Sequence, residues 1–136
     1  MVESAAKRIL VVDDEPALCE VLKARLETFG YAVSVAHDGS EAWEKILSDA
    51  PGLVLLDIQL PGEDGFSLLR KLRSYHDPQN ADREDRIREL PVIVITGRGE
   101  GMKDLFEQEK ISGYVTKPID SALIKKLIEE ALRKSG

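Results

Sequence analysis

The sequence predicts an α/β domain with a doubly wound, five-stranded parallel sheet, and two observations point there. Short apolar runs alternate with segments of helical period five times along the 136 residues. The run Arg8–Val12 is aliphatic after its first residue and 53–56 is aliphatic throughout, as in strands covered on both faces. Alternation of this kind implies parallel pairing through right-handed crossovers, which puts helices on both sides of the sheet.

Each element has a local reason. After the first strand, Pro16 opens a helix at a position where its missing N–H costs nothing. Leu18, Val21, Leu22, Leu26 and Phe29 recur at helical spacing, and Gly30 stops the helix. Ala32–Ala36 reads as a second strand whose more even composition suits an edge. A helix over 40–48 ends at Pro51-Gly52, and the strand at 53–56 delivers Asp57 at its carboxyl end. Gly65–Arg73 forms a third helix with Phe66, Leu68, Leu69 and Leu72 as its apolar set. Residues 92–95 make the fourth strand, ending in Thr96. Gly97, Gly99 and Gly101 then lead into a short helix around 103–109, in a stretch the glycines let move cheaply. A brief strand at 114–116 ends at Lys117-Pro118, and a helix over 121–133 carries Ile124, Leu127, Ile128, Ala131 and Leu132 on one face.

The segment 74–90 is the irregular one, and a structureless loop of that length is out of place in a small domain. Asp82/Arg86 and Glu84/Arg88 have i,i+4 spacing and admit an extra helical turn, although such a charge run reads first as a solvated face. The expected organisation is one domain over 1–136 with its core at about 7–133.

Composition narrows the function classes. With 43% hydrophobic and 32% charged residues the chain is too apolar for disorder. Its one cysteine, Cys19, excludes an internal disulfide framework and a Cys-based zinc site. No apolar run is long enough for a bilayer and residues 1–7 lack a signal-peptide core, so the expectation is a cytoplasmic protein without membrane attachment. Nineteen basic against 25 acidic residues leave a net charge of −6, which argues against direct nucleic-acid binding by this chain.

In an open parallel sheet, functional groups gather beyond the carboxyl ends of the strands. The first strand ends in Asp13-Asp14-Glu15, the third in Asp57, the fourth in Thr96 and the fifth in Lys117. Two like charges about 4 Å apart repel by about 4 kcal/mol at an effective dielectric near 20. A hard divalent cation relieves that repulsion, and an all-oxygen donor set suits Mg²⁺ better than zinc. Taken singly, Asp14 suits a helix cap, Thr96 a strand end and Lys117 a surface turn. Four strands ending in complementary chemistry is improbable for unrelated structural reasons.

Val11-Val12-Asp13-Asp14-Glu15-Pro16, the run from Leu56 through Asp57 to Gly65, Thr96-Gly97, and Tyr114-Val115-Thr116-Lys117-Pro118 together resemble the receiver domain of two-component response regulators. The resemblance covers the chain from Lys7 to about Arg133 and implies a flavodoxin-like (βα)5 fold with strand order 2-1-3-4-5. It implies Asp57 as phosphoacceptor, taking phosphoryl from a histidine kinase or histidine phosphotransfer protein. Asp13, Asp14, Asp57 and the backbone carbonyl of Gln59 would hold Mg²⁺. Thr96 and Lys117 would contact the phosphoryl oxygens, Tyr114 would couple the event to an output surface with Thr96, and Lys117-Pro118 would be a cis peptide. The protein is then a signalling switch rather than an enzyme, acting on a downstream protein target, either as a stand-alone receiver or as part of a larger regulator or hybrid kinase. Segment 74–90 is longer than the family's usual connection, and no acidic pair precedes Tyr114 as in many DNA-binding regulators. The rival reading, a phosphatase of the haloacid-dehalogenase type, needs an acid two residues beyond its nucleophile, where this chain has Gln59. Trp43 reads as packing, Cys19 as a small helix residue, and His37 and His76 as isolated histidines.

Overall fold

The computed structural model describes residues 8–58, 65–97 and 110–135. Its strands are β1 (Arg8–Val12), β2 (Ala32–Ala36), β3 (Leu53–Asp57), β4 (Val92–Thr96) and β5 (Gly113–Thr116). They pair in parallel in the order β2-β1-β3-β4-β5, with β2 at one edge as its composition suggested. The described helices are α1 (Pro16–Thr28), α2 (Gly39–Asp49), α3 (Gly65–Arg73), α4 (Ala81–Arg88) and α5 (Ser121–Ser135).

Side-chain alternation along the strands divides the core in two. Leu10, Val12, Val54, Leu56, Val92 and Val94 face α2, α3 and α4, where Ile46, Leu68, Leu69, Leu72 and Ile87 are buried. Ile9, Val11, Leu53, Leu55, Ile93 and Ile95 face α1 and α5, packing on Leu22, Leu26, Ile124 and Ile128. β1, β3 and β4 are therefore apolar at consecutive positions because both their faces are covered.

Helix ends follow local chemistry. Pro16 begins α1, and Gly30, at φ +98°, takes the left-handed turn that ends it and donates its N–H to the Glu27 carbonyl. Asp38 caps α2 by accepting from the Glu41 N–H at 2.7 Å, while the Glu41 carboxylate accepts from the His37 N–H at 2.9 Å. On α1 the buried stripe is Cys19, Leu22 and Leu26, whereas Val21, expected in the apolar set, is 56% exposed. Val21 sits about 100° around the helix from Leu22, on the side turned away from Cys19 and Leu26.

The segment 74–90 corrects the reading of its charge run as a mere solvated face. Asn80 accepts from the Arg83 N–H at 2.9 Å and starts α4, whose Ile87 is fully buried against the α2–α3 side of the sheet. Before it, Asp77 accepts from the Tyr75 hydroxyl at 2.9 Å and from Arg83 Nε at 2.7 Å, and its own N–H donates to Glu84 at 2.7 Å. A helix with one buried apolar residue in eight shows no helical period, which is why its charges dominated the sequence pattern. Ile87→Ala should lower unfolding free energy by about 2–5 kcal/mol, measured by urea denaturation. A change below about 0.5 kcal/mol would mean that α4 is not part of the main cooperative unit.

Asp77 is held below the ordinary carboxylate range, first by the hydrogen bond from Arg83 and then by that from Tyr75. A depressed folded-state pKa adds stability above the unfolded-state value, lost as pH falls through the folded one. The stability difference between the parent and Asp77→Asn should therefore be full at pH 7 and shrink below about pH 4. A difference constant down to pH 2.5 would show that the carboxylate charge plays no part.

Among the described residues, no helix is long and apolar enough to cross a membrane.

Candidate functional site

The parallel register brings the strand ends together. Val12 pairs with Leu56 and Asp57 with Ile95, so Asp13, Asp57 and Thr96 emerge side by side at the carboxyl edge. Asp13 and Thr96 are fully buried and Asp57 is 2% exposed, while Asp14 lies at the surface. Carboxylate oxygens of Asp13, Asp14 and Asp57 all lie within 4.8 Å of one another.

Lys117 reaches this group from the end of β5. Its Nζ is 3.3 Å from Asp13 Oδ2, 3.3 Å from Asp57 Oδ2 and 3.1 Å from Glu15 Oε1. The Lys117 N–H donates to the Thr96 carbonyl at 2.9 Å, and the Lys117–Pro118 peptide is cis. The backbone after Asp57 is equally confined. The Ile58 N–H donates to Ile95 O, and the Gly65 N–H donates to Ile58 O. A Cβ on Gly65 would lie 2.7 Å from the Asp57 carbonyl oxygen, so only glycine admits α3 this close to the end of β3.

The electrostatics follow from one cation among four acids. Burial raises the Asp13 pKa and the Asp57 charge adds to it, opposed by the Glu15 N–H, which donates to Asp13 Oδ1 at 2.9 Å, and by Lys117. For Lys117, burial alone favours the neutral amine, but Glu15, Asp13 and Asp57 together outweigh it and raise the pKa. Asp13 Oδ2 is buried and has no aligned hydrogen bond, despite the Lys117 ammonium nearby. A buried carboxylate oxygen left open beside two further hard oxygens fits a divalent, oxygen-preferring cation such as Mg²⁺.

Tyr114 pairs with Val94 and is 38% exposed. Val115 packs into the α1–α5 side of the core, so Tyr114 and Thr116 point to the opposite face. Gln59, Pro61, Gly62, Gly99, Gly101 and the helix expected around 103–109 lie outside the described residues. Trp43 is partly buried, edge-on to Tyr75 at 5.6 Å with Lys71 4.6 Å from its ring centre.

Sequence reasoning placed Glu15 at this edge without a role and read Cys19 and His37 as no part of the site. Glu15, beside the two aspartates, holds Lys117. Cys19 Sγ donates to the Asp13 carbonyl at 3.3 Å, and His37 Nδ1 lies 3.1 Å from the same oxygen. Burial, with Asp13 and Asp14 nearby, pushes the Cys19 thiol up to about 11, so it is a neutral donor. His37 is 24 residues from Asp13 in sequence, and only the β1–β2 pairing that places Val12 beside Ala36 makes them neighbours.

Comparison with known proteins agrees with this geometry. The family profile "Response regulator receiver domain" matches residues 9–129. Response regulator PleD of Caulobacter vibrioides is 40% identical over 120 residues, covering 86% of this chain and 24% of that protein. The chain thus spans about a quarter of the curated relative's length. A CheY-like response regulator receiver domain protein from Methanospirillum hungatei superposes with a TM-score of 0.79 at 29% identity, covering 96% of this chain and 98% of that one. The BeF3-activated receiver domain of Klebsiella pneumoniae RstA gives 0.77 at 30% identity, covering 93% and 98%. With its strand order, acidic pocket and this profile in agreement, the chain belongs to the family of response regulator receiver domains of two-component systems.

Proposed function

We propose that Asp57 accepts a phosphoryl group from a phosphohistidine of a histidine kinase or histidine phosphotransfer protein. The observation that carries this reading is the Lys117 ammonium set 3.3 Å from both Asp13 and Asp57 at the carboxyl edge of the sheet. A carboxylate oxygen of Asp57 attacks phosphorus, the new P–O bond forms, and the P–N bond breaks with its electron pair leaving on the donor imidazole. Lys117 stands where the transferred oxygens carry their negative charge and stabilises it. The Thr96 hydroxyl donates to a phosphoryl oxygen, and Tyr114 turns inward toward the space this vacates. The two arrangements form a two-state surface that phosphorylation biases toward a downstream protein target.

Asp13, Asp14 and Asp57, with the Gln59 carbonyl, would hold Mg²⁺. When bound, the cation neutralises the carboxylates and polarises phosphoryl oxygens. At a free Mg²⁺ concentration about 100 times Kd the fold should gain about 2.7 kcal/mol, seen as a rise in melting temperature. An unchanged melting temperature in millimolar MgCl2 would overturn the metal assignment.

The reading extends to a cytoplasmic switch without enzymatic turnover on other substrates, one domain over 1–136, whether free-standing or within a longer regulator. Intact-mass spectrometry after incubation with acetyl phosphate and MgCl2 tests it. One phosphoryl group per chain is expected, and continuous hydrolysis of varied phosphate esters would support a phosphatase instead.

A further inference from the structure

We propose that His37 and Cys19 are positioning residues for the acidic pocket, acting through the backbone carbonyl of Asp13. This rests on the reading of Asp13 and Asp14 as ligands of a divalent cation.

The Asp13 backbone is tied on every side. Its N–H donates to the Ala36 carbonyl at 3.1 Å, and its Oδ1 accepts from the Glu15 N–H at 2.9 Å. Its carbonyl oxygen accepts from the Cys19 thiol at 3.3 Å and lies 3.1 Å from His37 Nδ1. A carbonyl can only accept, so attraction at that distance requires the proton on Nδ1. Cys19 Sγ is 3.9 Å from the same nitrogen, so thiol and imidazole converge on one oxygen from α1 and from the end of β2.

That oxygen belongs to the peptide linking Asp13 to Asp14. Rotation of the peptide plane would swing Asp14, whose carboxylate completes the three-acid group, and would tilt Asp13, whose Oδ2 is the buried oxygen without a hydrogen bond. Two donors on the carbonyl hold the plane, so the acidic oxygens stay close together despite their mutual repulsion. Groups that orient ligands from behind in this way commonly set metal affinity. His37 itself is surface-exposed, and its backbone N–H is anchored to Glu41 at 2.9 Å. The ring can therefore be changed without opening the core.

The test is calorimetric titration of the full chain with MgCl2, for the parent, His37→Ala, His37→Asn and Cys19→Ala. An Asn amide can place a nitrogen near the position of Nδ1, so it should retain the donor. His37→Ala and Cys19→Ala should each weaken Mg²⁺ binding by about three- to tenfold. His37→Asn should restore His37→Ala to within about twofold of the parent. In metal-free protein the ¹³C shift of the Asp13 carbonyl should move in both alanine variants and return in His37→Asn. His37→Ala binding Mg²⁺ as the parent does, or an unmoved Asp13 carbonyl, overturns the positioning role. A parent that binds no Mg²⁺ overturns the metal reading itself, and the inference with it.

Discussion

Asp57→Asn should abolish phosphoryl incorporation, with a loss on the order of 10³-fold or more. The amide keeps the shape of the carboxylate but carries no anionic oxygen to attack phosphorus. Asp57 is 2% exposed, and Lys117 stands 3.3 Å from its Oδ2, so the substitution removes the anionic oxygen at the end of β3. Intact mass after acetyl phosphate and MgCl2 should show one added phosphoryl in the parent and none in the variant. Labelling of the variant to the parent's extent would move the phosphoacceptor elsewhere. The metal-free fold should be unharmed or slightly stabilised, because a neutral side chain at position 57 removes a like charge that raises the Asp13 pKa. Urea denaturation in EDTA measures this, and collapse of the fold would show that the Asp57 charge is structural.

Lys117→Ala has the second largest expected effect, and its two consequences have different causes. Phosphorylation should slow by about 10²-fold, since a preorganised cation beside the transferred oxygens is lost. The metal-free fold should also lose about 3 kcal/mol, because Asp13 is fully buried and Asp57 nearly so, and neither keeps the ammonium. Added MgCl2 should then stabilise the variant by more than it stabilises the parent, as another cation takes over part of the neutralisation. Equal stabilisation of both proteins, read from melting temperatures, would argue that Lys117 and the metal do not share these carboxylates.

The contrast between β3 and α4 shows how much could be read before the structure. β3 is aliphatic and buried on both faces up to its final residue, Asp57, so over 53–56 its burial and its composition carry the same message. α4 contributes one buried side chain, Ile87, and its remaining residues are polar or only partly covered. Its helicity comes from an Asn80 cap and from the Asp77–Arg83 pairing ahead of it. Hydrophobic period cannot report a helix built that way. The acidic pocket divides along the same line. Asp13, Asp14, Asp57, Thr96 and Lys117 were legible because each sits at a strand end, where parallel topology gathers groups. The parts played by Glu15, Cys19 and His37 were not, because they depend on which atom faces which.

What the sequence determined by itself was the alternation of elements, and with it the sheet edge at which the acids and the lysine meet, since apolar runs and helix signals are local properties of the chain. What only the tertiary structure decided was the detail within that edge. Lys117 lies between Asp13 and Asp57, one Asp13 oxygen is left without a hydrogen bond, and the Cys19 thiol and the His37 Nδ1 from separate elements meet at the Asp13 carbonyl. Those facts depend on distances of a few ångströms between residues far apart in the chain, which residue type and spacing do not encode.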